Sequence, residues 1–291
     1  MGPYRKSAPL APGSTIAIVA PSSGFDREEL FRGLAWLGTR YRLRIRSAIL
    51  ARDGYLAGTD AVRTAVLAEA MTDPTIDAIV CARGGYGATR ILDALPWDAF
   101  AAAPKRLVGF SDITALHLVA QARGLETIHG PNVTGLGRSI GAAERLALLA
   151  TLEDLPLAPW SVARIVGGDA EGPILGGNLA LVEAMAAAGQ LPPLDGAIVA
   201  LEDVTERPYR IDRMLTSLRP HLKRASAIVF GQLTQCAPGA DGVTVEHVLR
   251  DRTADLGIPV ATGAPFGHDS PNHAFPLGRT VTLRGDALVF G

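Results

Sequence analysis

The sequence predicts an α/β protein with a doubly wound parallel sheet in its N-terminal part and a smaller C-terminal domain that is mixed and β-rich. Two patterns predict the first part. Short apolar runs alternate with segments of helical spacing, and turns rich in glycine or serine follow the apolar runs. Two short apolar runs joined by Arg284-Gly285-Asp286 end the chain, which predicts a hairpin and therefore antiparallel strands in the second part.

The N-terminal elements follow from hydrophobic periodicity and from the residues that interrupt it. Strands are expected where apolar residues run continuously or alternate, and helices where they recur at every third or fourth position. In order, the sequence predicts strand 16–20, helix 27–37, strand 43–45, a helix that Asp60 caps and that continues to Met71, strand 76–81, a short helix around 91–92, strand 107–109 and a helix from Ser111 to Gly124.

The rest of the chain is predicted to contain a connection and a second domain. We expect the N-terminal domain at 1–135, a linker at 136–170 that includes one helix, and the C-terminal domain at 171–291. The elements expected in the C-terminal domain are strand 173–175, helix 179–188, strand 197–201, helix 211–218, strand 227–231, helix 245–249 and the hairpin strands 280–283 and 287–290.

The composition excludes several classes of protein. The 291 residues are 48% hydrophobic and 20% charged, which is typical of a globular chain with a substantial core. A net charge of -1 offers no basic surface to nucleic acid, and no apolar run suits a membrane span or a signal peptide. Cys81 and Cys236 lie in or beside apolar segments, so we expect buried thiols in a reducing compartment, and no disulfide, metal or cofactor.

The stretch Gly109-Phe110-Ser111-Asp112 lies where a strand is expected to become a helix. A serine at such a corner projects its hydroxyl at the end of the sheet, beside the free N–H groups of the helix N-terminus. This is the arrangement of a nucleophile elbow, although Ile113 replaces the last glycine of the G-x-S-x-G motif. The alternative is that Ser111 only caps the helix.

The turn Arg83-Gly84-Gly85-Tyr86-Gly87 is expected at the same edge of the sheet, because it also follows a predicted strand. Consecutive glycines free backbone N–H groups to face an anion. That anion could be a phosphate, but the lysine and the spacing of phosphate-binding loops are missing. One N–H of the turn could instead join the N–H of Asp112 in an oxyanion hole. The third interpretation is a tight turn without a ligand.

Carboxylates and histidines in the C-terminal half could complete a catalytic group. Glu202-Asp203 follows an apolar strand, where either carboxylate could orient an imidazole or cap the next turn. The loop 267–273 contains His268 and His273, and either could be the general base for Ser111. Their spacing does not separate them.

Segments distributed over nearly the whole chain together resemble the L,D-carboxypeptidase family of serine peptidases. This family includes the murein tetrapeptide carboxypeptidases and the microcin C immunity peptidases. Each segment is weak by itself, but their order and number make the resemblance specific. The segments are Ile18-Val19-Ala20-Pro21-Ser22-Ser23, Arg83-Gly84-Gly85-Tyr86-Gly87, Gly109-Phe110-Ser111-Asp112-Ile113-Thr114, His129-Gly130-Pro131, Leu175-Gly176-Gly177-Asn178-Leu179, Leu201-Glu202-Asp203, Tyr209-Arg210-Ile211-Asp212-Arg213, Phe266-Gly267-His268 and Pro276-Leu277-Gly278.

The resemblance implies a role for each candidate residue. Ser111 stands at the position of the family's nucleophile, and His268 stands at that of the base, which decides between the two histidines of the loop. Glu202 would orient His268. The backbone N–H groups of Asp112 and Gly85 would form the oxyanion hole.

The resemblance also implies a Rossmann-like N-terminal sheet, a site between the two domains, and a homodimer. The implied reaction is hydrolysis of the L,D-peptide bond that releases D-Ala from murein tetrapeptide in the cytoplasm during cell-wall recycling. A small peptide is therefore the expected partner. Because a terminal carboxylate requires a cation near the nucleophile, Arg83 and Arg207 are candidate substrate-binding residues, together with Gly84.

Two further functions stay open at this point. In the immunity branch the substrate would be a peptidyl or aminoacyl nucleotide or an acyl-sulfamoyl adenylate, and an aromatic side chain such as Trp160 would stack on its base. Alternatively, the protein would bind a muropeptide or a nucleotide through the glycine turn without turning it over.

Overall fold

Two β-sheets organise the chain within residues 4–138 and 141–291, which this computed structural model describes. One sheet has six strands and the other has eight. In chain order the strands are β1 (Thr15–Val19), β2 (Arg42–Ile45), β3 (Ala78–Cys81), β4 (Arg106–Gly109), β5 (Thr127–His129), β6 (Trp160–Ser161), β7 (Ala163–Val166), β8 (Ala170–Asn178), β9 (Ile198–Val204), β10 (Ala227–Thr234), β11 (Val260–Thr262), β12 (Phe275–Leu277), β13 (Thr280–Arg284) and β14 (Ala287–Phe290).

Helices connect most of the parallel strands. They are α1 (Arg27–Leu37), α2 (Asp60–Thr72), α3 (Trp97–Ala102), α4 (Thr114–Ala122), α5 (Val133–Gly137), α6 (Ala142–Leu152), α7 (Leu179–Ala187), α8 (Pro208–Leu222) and α9 (Val245–Thr253). Short 3₁₀ segments occupy Ser47–Leu50, Ala88–Ala94 and Ser111–Ile113.

The first sheet confirms the predicted doubly wound parallel architecture. Its strand order is β2-β1-β3-β4-β5-β12, in which β1 to β5 are parallel and β12 is antiparallel to β5. Every residue of β3, Ala-Ile-Val-Cys, is buried, as expected for a strand covered on both faces. The parallel pairing of β3 with β4 places the turns that follow Cys81 and Gly109 at the same edge.

The second sheet confirms a mixed, β-rich architecture. Its order is β6-β14-β13-β8-β9-β10-β11-β7, with β8 to β11 parallel and antiparallel strands on both sides, including the predicted terminal hairpin of β13 and β14. The segment expected to be a linker contains α6 and also supplies β6 and β7 to this sheet. In return, β12 from the C-terminal part completes the first sheet.

Two local predictions differ from the structure. Thr59, and not Asp60, is the N-cap of α2, because the Thr59 hydroxyl accepts a hydrogen bond from Val62 N at 3.3 Å. The helix expected directly after the strand at 107–109 begins as the 3₁₀ turn Ser111–Ile113 and becomes α-helical only at Thr114. Ser111 is therefore the first residue of a 3₁₀ turn, and the α-helix begins three residues after it.

One buried apolar core joins the two sheets. Leu107 of β4, Leu116 of α4, Leu175 of β8 and Leu201 of β9 belong to the same cluster, and each is at most 2% exposed. Helix α4 contacts both α7 and β8. Because protein interiors are close-packed, this shared core fixes the end of β4 relative to β9.

Glycines allow α1 and α5 to pack in direct backbone contact. A Cβ atom on Gly33 would lie 2.0 Å from the Val133 carbonyl oxygen, and one on Gly137 would lie 1.7 Å from the Glu29 carbonyl oxygen. Both distances are far inside van der Waals contact, and backbone atoms cannot move aside as a flexible side chain can. The sequence positions these glycines where side chains would separate the helices.

We expect Gly137→Ala to lower the free energy of unfolding by about 1–3 kcal/mol, since overpacking forces the backbones of α1 and α5 apart. Gly135→Ala is a matched control in the same helix, because its Cβ would meet only Pro131 Cβ, at an ordinary 3.7 Å. Urea unfolding followed by circular dichroism measures both. Equal stabilities of the two variants would contradict the close packing.

Candidate active site

Ser111 occupies a strained corner between β4 and α4. Its φ angle of 64° is in the left-handed region, which costs a non-glycine residue about 1 kcal/mol or more. The residue in the N-cap position of the 3₁₀ turn is Phe110, and no side chain caps that turn. Ser111 is half-buried, and its Oγ has no hydrogen-bond partner among the described residues, so the capping role has no support.

The glycine turn lies directly against this serine. A Cβ atom on Gly84 would be 2.9 Å from Ser111 Cβ and 3.1 Å from Ser111 Oγ, so only glycine fits there. Gly85, with a φ of 104°, contacts Ser23, whose hydroxyl accepts a hydrogen bond from Tyr86 N at 3.0 Å. The backbone N–H groups of Gly85 and Asp112 donate to no acceptor in the described parts of the chain. Both donors therefore remain available to a ligand.

The carboxylate of Asp112 joins the serine corner to the glycine turn. Its Oδ2 accepts a hydrogen bond from Ala88 N at 2.8 Å, at the point where the turn becomes the 3₁₀ segment Ala88–Ala94. Burial raises the pKa of Asp112, against the opposing effects of its hydrogen bonds and of Arg63. The Asp112 carboxylate is therefore engaged by a hydrogen bond within the protein, whereas the backbone N–H of Asp112 has no described acceptor.

His268 is hydrogen-bonded to Glu202. The two atoms, His268 Nδ1 and Glu202 Oε2, are 2.7 Å apart, and Glu202 is fully buried within β9, which continues past the predicted end at Leu201 to Val204. The other carboxylate oxygen, Oε1, is buried and has no hydrogen-bond partner in the described residues. No other described group therefore competes with His268 for a hydrogen bond to the Glu202 carboxylate.

The pKa of His268 is raised. Burial by itself would lower it, but the hydrogen bond that His268 donates to Glu202 and the charges of Glu202, Asp203 and Asp269 outweigh burial. The contact uses Nδ1, so Nε2 is the ring nitrogen left for a second partner. The side chain is 18% exposed, which gives a small solute access to it.

The Phe110 side chain packs against His268. Its ring centroid is 4.8 Å from that of His268, and Phe110 immediately precedes Ser111. No hydrogen bond joins Ser111 Oγ to His268 in the described residues. Such bonds are often long in ligand-free sites and shorten when substrate binds.

A hydrogen-bond network that the sequence did not predict links α4 to β8 and β9. Thr114 Oγ1 accepts from Asn178 N at 2.9 Å, and Asn178 Nδ2 donates to Asp203 at 3.0 Å. Asp203 also accepts from Ala180 N and Val204 N, at 2.9 and 2.8 Å. Burial, together with the charge of Glu202, raises the pKa of Asp203 to about 6 against these hydrogen bonds. Asp203 therefore caps α7, whereas its neighbour Glu202 faces the imidazole.

The other histidines near the site lack this geometry. His273 is half-buried and has no hydrogen bond to Glu202 in the described structure, and burial lowers its pKa. His129 is fully buried, stacks on Phe275 with ring centroids 4.9 Å apart, and has a pKa well below the usual range because of burial and the charges of His117 and His268. It is a core side chain.

The candidate cations and the candidate stacking residue differ in their surroundings. Arg83 is exposed and donates to Gly24 O at 2.5 Å, directly beside the glycine that touches Ser111. Arg207 is the N-cap residue of α8 and its guanidinium lies 3.4 and 3.3 Å from the carbonyl oxygens of Ala237 and Pro238. Trp160 is 6% exposed and packs on phenylalanine rings, so the expectation that it could stack on a nucleobase is wrong for this structure.

Both cysteines, Cys81 and Cys236, are free and buried, as predicted. In residues 4–138 and 141–291 no group of three or more histidine, cysteine, aspartate or glutamate side chains could hold a metal ion. None of the described helices has the length and apolar character needed to cross a membrane.

Comparison with known proteins identifies two family domains in the chain. Residues 16–130 match the LD-carboxypeptidase N-terminal domain, and residues 171–283 match the LD-carboxypeptidase C-terminal domain. The murein tetrapeptide carboxypeptidase of Pseudomonas aeruginosa is 36% identical over 94% of this chain and 94% of its own length. The microcin C7 self-immunity protein of Escherichia coli is 27% identical over 96% of this chain and 93% of its own length.

A solved structure agrees with these matches. The muramoyltetrapeptide carboxypeptidase from Oxalobacter formigenes superposes with a TM-score of 0.86 and 28% sequence identity. The superposition covers 95% of this chain and 97% of that protein.

We expect the contact between Glu202 and His268 to make stability depend on pH. Because folding raises the pKa of His268 above its unfolded value of about 6.5, its stabilising contribution is complete below that pH and is lost as pH rises through the folded pKa. The difference in unfolding free energy between the wild type and His268→Gln should therefore be largest below about pH 6.5 and shrink as the pH rises above it. Denaturant titration at several pH values measures it.

His247→Gln, at an exposed histidine away from Glu202, is the matched control variant and is measured over the same pH range. A His268 difference that grows with pH would contradict the sign of the shift.

Proposed function

Because the chain belongs to the LD-carboxypeptidase family of serine peptidases, we propose that it hydrolyses the L,D-peptide bond that releases D-Ala from murein tetrapeptide. Ser111, His268 and Glu202 are the proposed catalytic residues. We further propose that the enzyme acts in the cytoplasm during cell-wall recycling. The homodimer stays a prediction of the family resemblance.

The observation that carries this proposal is the 2.7 Å contact between Glu202 and His268 next to a serine in the left-handed conformation. A carboxylate on Nδ1 fixes the tautomer whose Nε2 can accept a proton. The Phe110 ring packs against His268 and immediately precedes Ser111 in the chain, which supports a place for the imidazole near the serine corner. The three groups come from distant parts of the chain, and ordinary helix capping would not assemble them.

The proposed reaction follows the general scheme of serine acyl transfer. Ser111 Oγ attacks the carbonyl carbon of the scissile bond while His268 Nε2 takes the hydroxyl proton. The tetrahedral intermediate collapses, the C–N bond breaks, and His268 returns the proton to the nitrogen of the leaving D-amino acid. Water then attacks the acyl-enzyme with His268 again as base, which releases the shortened peptide and regenerates Ser111.

Two backbone donors are proposed to stabilise the negative charge that develops on the carbonyl oxygen. Asp112 follows Ser111 in the chain, and Gly85 follows Gly84, which contacts Ser111. No described acceptor takes the N–H of either residue. Fixed donors of this kind act without reorganising when charge develops, which makes them effective in a partly desolvated site. Glu202 stabilises the imidazolium that forms at the same time.

Arg83 is the proposed cation for the terminal carboxylate of the substrate. It adjoins Gly84, which contacts Ser111, whereas no contact in the described structure links Arg207 to the serine corner. Both guanidinium groups donate to backbone carbonyl oxygens, so proximity to Ser111 is what favours Arg83. Gly84 would contribute by leaving room for the substrate above the nucleophile. A charge-assisted pair between guanidinium and carboxylate is stronger than a neutral hydrogen bond.

The immunity-type reaction on a peptidyl nucleotide or acyl-sulfamoyl adenylate remains the second candidate, because the microcin C7 self-immunity protein matches over nearly the whole chain. The burial of Trp160 removes the aromatic side chain that was the candidate for base stacking. We therefore favour the murein peptide, and the immunity-type substrates enter the test of function.

Ser111→Ala should lower the rate of D-Ala release from L-Ala-γ-D-Glu-meso-diaminopimelate-D-Ala by on the order of 10⁵-fold, because the covalent intermediate cannot form. Its melting temperature should stay close to that of the wild type. Ser47→Ala, which changes an exposed serine in another 3₁₀ segment, is the control and should keep full activity.

Product analysis with the tetrapeptide and an aminoacyl-sulfamoyl adenylate in parallel decides between the substrates. Retained tetrapeptide cleavage by Ser111→Ala would refute the mechanism. Wild-type turnover of the adenylate alone would assign the protein to the immunity-type reaction, and turnover of neither would favour a binding protein.

Arg83→Gln should raise KM for the tetrapeptide by about 10- to 100-fold, as expected when a charged hydrogen bond is lost, with a smaller effect on kcat. An amidated C-terminus on the substrate should remove the difference between variant and wild type. Arg42→Gln on β2 changes an exposed arginine and is the matched control. An unchanged KM in Arg83→Gln would move the assignment to Arg207.

A further inference from the structure

The loop 267–273 carries His268 on backbone that belongs to no helix or strand. A base on such a loop needs other groups to hold it, because irregular backbone is more mobile than a strand or a helix. Two polar side chains from different elements meet this loop: Gln232 in β10 and Glu144 in α6.

Gln232 holds both ends of the segment that follows His268. Its Oε1 accepts a hydrogen bond from Asp269 N at 2.7 Å, and its Nε2 donates to Pro271 O at 2.8 Å. Before His268, Gly267 lies so close that a Cβ there would be 2.9 Å from Gln232 Cβ. One amide side chain therefore contacts the residues on both sides of His268.

Glu144 holds the same loop from the opposite end. Its Oε1 accepts from Asn272 N at 2.8 Å, and its Oε2 accepts from the Ser270 hydroxyl at 3.0 Å and from Gly141 N at 2.6 Å. Glu144 is only 2% exposed. Burying a carboxylate is unfavourable unless it is well hydrogen-bonded, and here three donors surround it.

Asn272 closes the loop on itself. Its Oδ1 accepts a hydrogen bond from Gly267 N at 3.2 Å. Asn272, which is itself hydrogen-bonded to Glu144, therefore also holds Gly267, the residue before His268. Thr151, also in α6, donates to Ala274 O at 3.1 Å and extends the contact of this helix beyond the loop. Helix α6 is thus fastened to the base-bearing loop over several residues.

We propose that Glu144 and Gln232 are positioning residues for His268, which hold its Nδ1 on Glu202 and its Nε2 toward Ser111. This inference rests on the proposed function. A displacement of about 1 Å in a catalytic group can cost about 10²-fold in rate, which is the scale expected when such a support is lost.

Other ionisable groups also face His268. Glu202 and Asp203 lie on β9, Asp269 lies in the loop itself, and the charge of His268 in turn lowers the pKa of the buried His129 of β5. Glu144 is not among the charges that raise the pKa of His268. A change of pKa in a Glu144 variant would therefore report altered geometry between His268 and Glu202.

We expect Glu144→Gln and Gln232→Ala each to lower kcat for the tetrapeptide by about 10- to 100-fold with little change in KM. The limb of the pH profile of kcat/KM that reports the pKa of His268 should move to lower pH. A looser contact with Glu202 raises this pKa less, so the opposing effect of burial, which lowers it, becomes dominant. Glu246→Gln and Gln190→Ala, at exposed positions away from the loop, are the matched controls and should behave as wild type.

A double-mutant cycle separates positioning from general destabilisation. In a His268→Ala background, Glu144→Gln should have no further effect on the residual rate, since it acts only through His268. Ser270→Ala removes one of the three donors to Glu144 and should give a smaller loss of the same kind, which keeps the test decisive if Glu144→Gln does not fold.

The outcomes distinguish a failure of the positioning inference from a failure of the proposed function. Wild-type kcat and an unshifted pH profile in folded Gln232→Ala and Ser270→Ala would overturn the inference, and so would additive losses in the cycle. Full activity of His268→Ala itself would refute the proposed function instead.

Discussion

The continuous apolar core between the two sheets is the constraint on which the site depends. Helix α4 contributes Leu116 to the same cluster as Leu175 of β8 and Leu201 of β9. Because α4 begins three residues after Ser111, packing of that helix determines where Ser111 lies relative to the strand that carries Glu202. The hydrogen bond from Asn178 N to Thr114 Oγ1 adds a polar contact across the same boundary.

Glu202 and Asp203 are neighbouring carboxylates in β9 whose roles the sequence does not distinguish, and the fold gives them different hydrogen-bond partners. Asp203 is surrounded by N–H donors from α7 and the backbone, whereas Glu202 has His268 as its hydrogen-bond partner among the described residues. Since successive residues of a strand point to opposite faces, one carboxylate caps a helix and the other meets the imidazole. The raised pKa of His268 follows from that second arrangement.

Much of the N-terminal sheet could be predicted from sequence, because β1 and β3 are continuous apolar runs, β2 alternates apolar with polar residues, and recognisable turns follow β1, β3 and β4. The edge strand β12 could not be, since three residues with a central proline carry no periodic signal, and their pairing with β5 depends on tertiary packing. The role of α6 could not be predicted either, because it also depends on tertiary packing. The sequence predicts only a helix within the expected linker, and donors reach Glu144 of that helix only when the loop 267–273 has folded.

The position of β12 has a consequence for synthesis of the protein. While the chain is still emerging from the ribosome, the free edge of β5 stays uncovered until residues 275–277 have been made, and an uncovered edge invites pairing with other chains. The loop that carries His268 is likewise made long after Ser111. Under the proposed mechanism, a nascent chain would hold Ser111 without the proposed base and could not hydrolyse a substrate until residues 267–273 have been made.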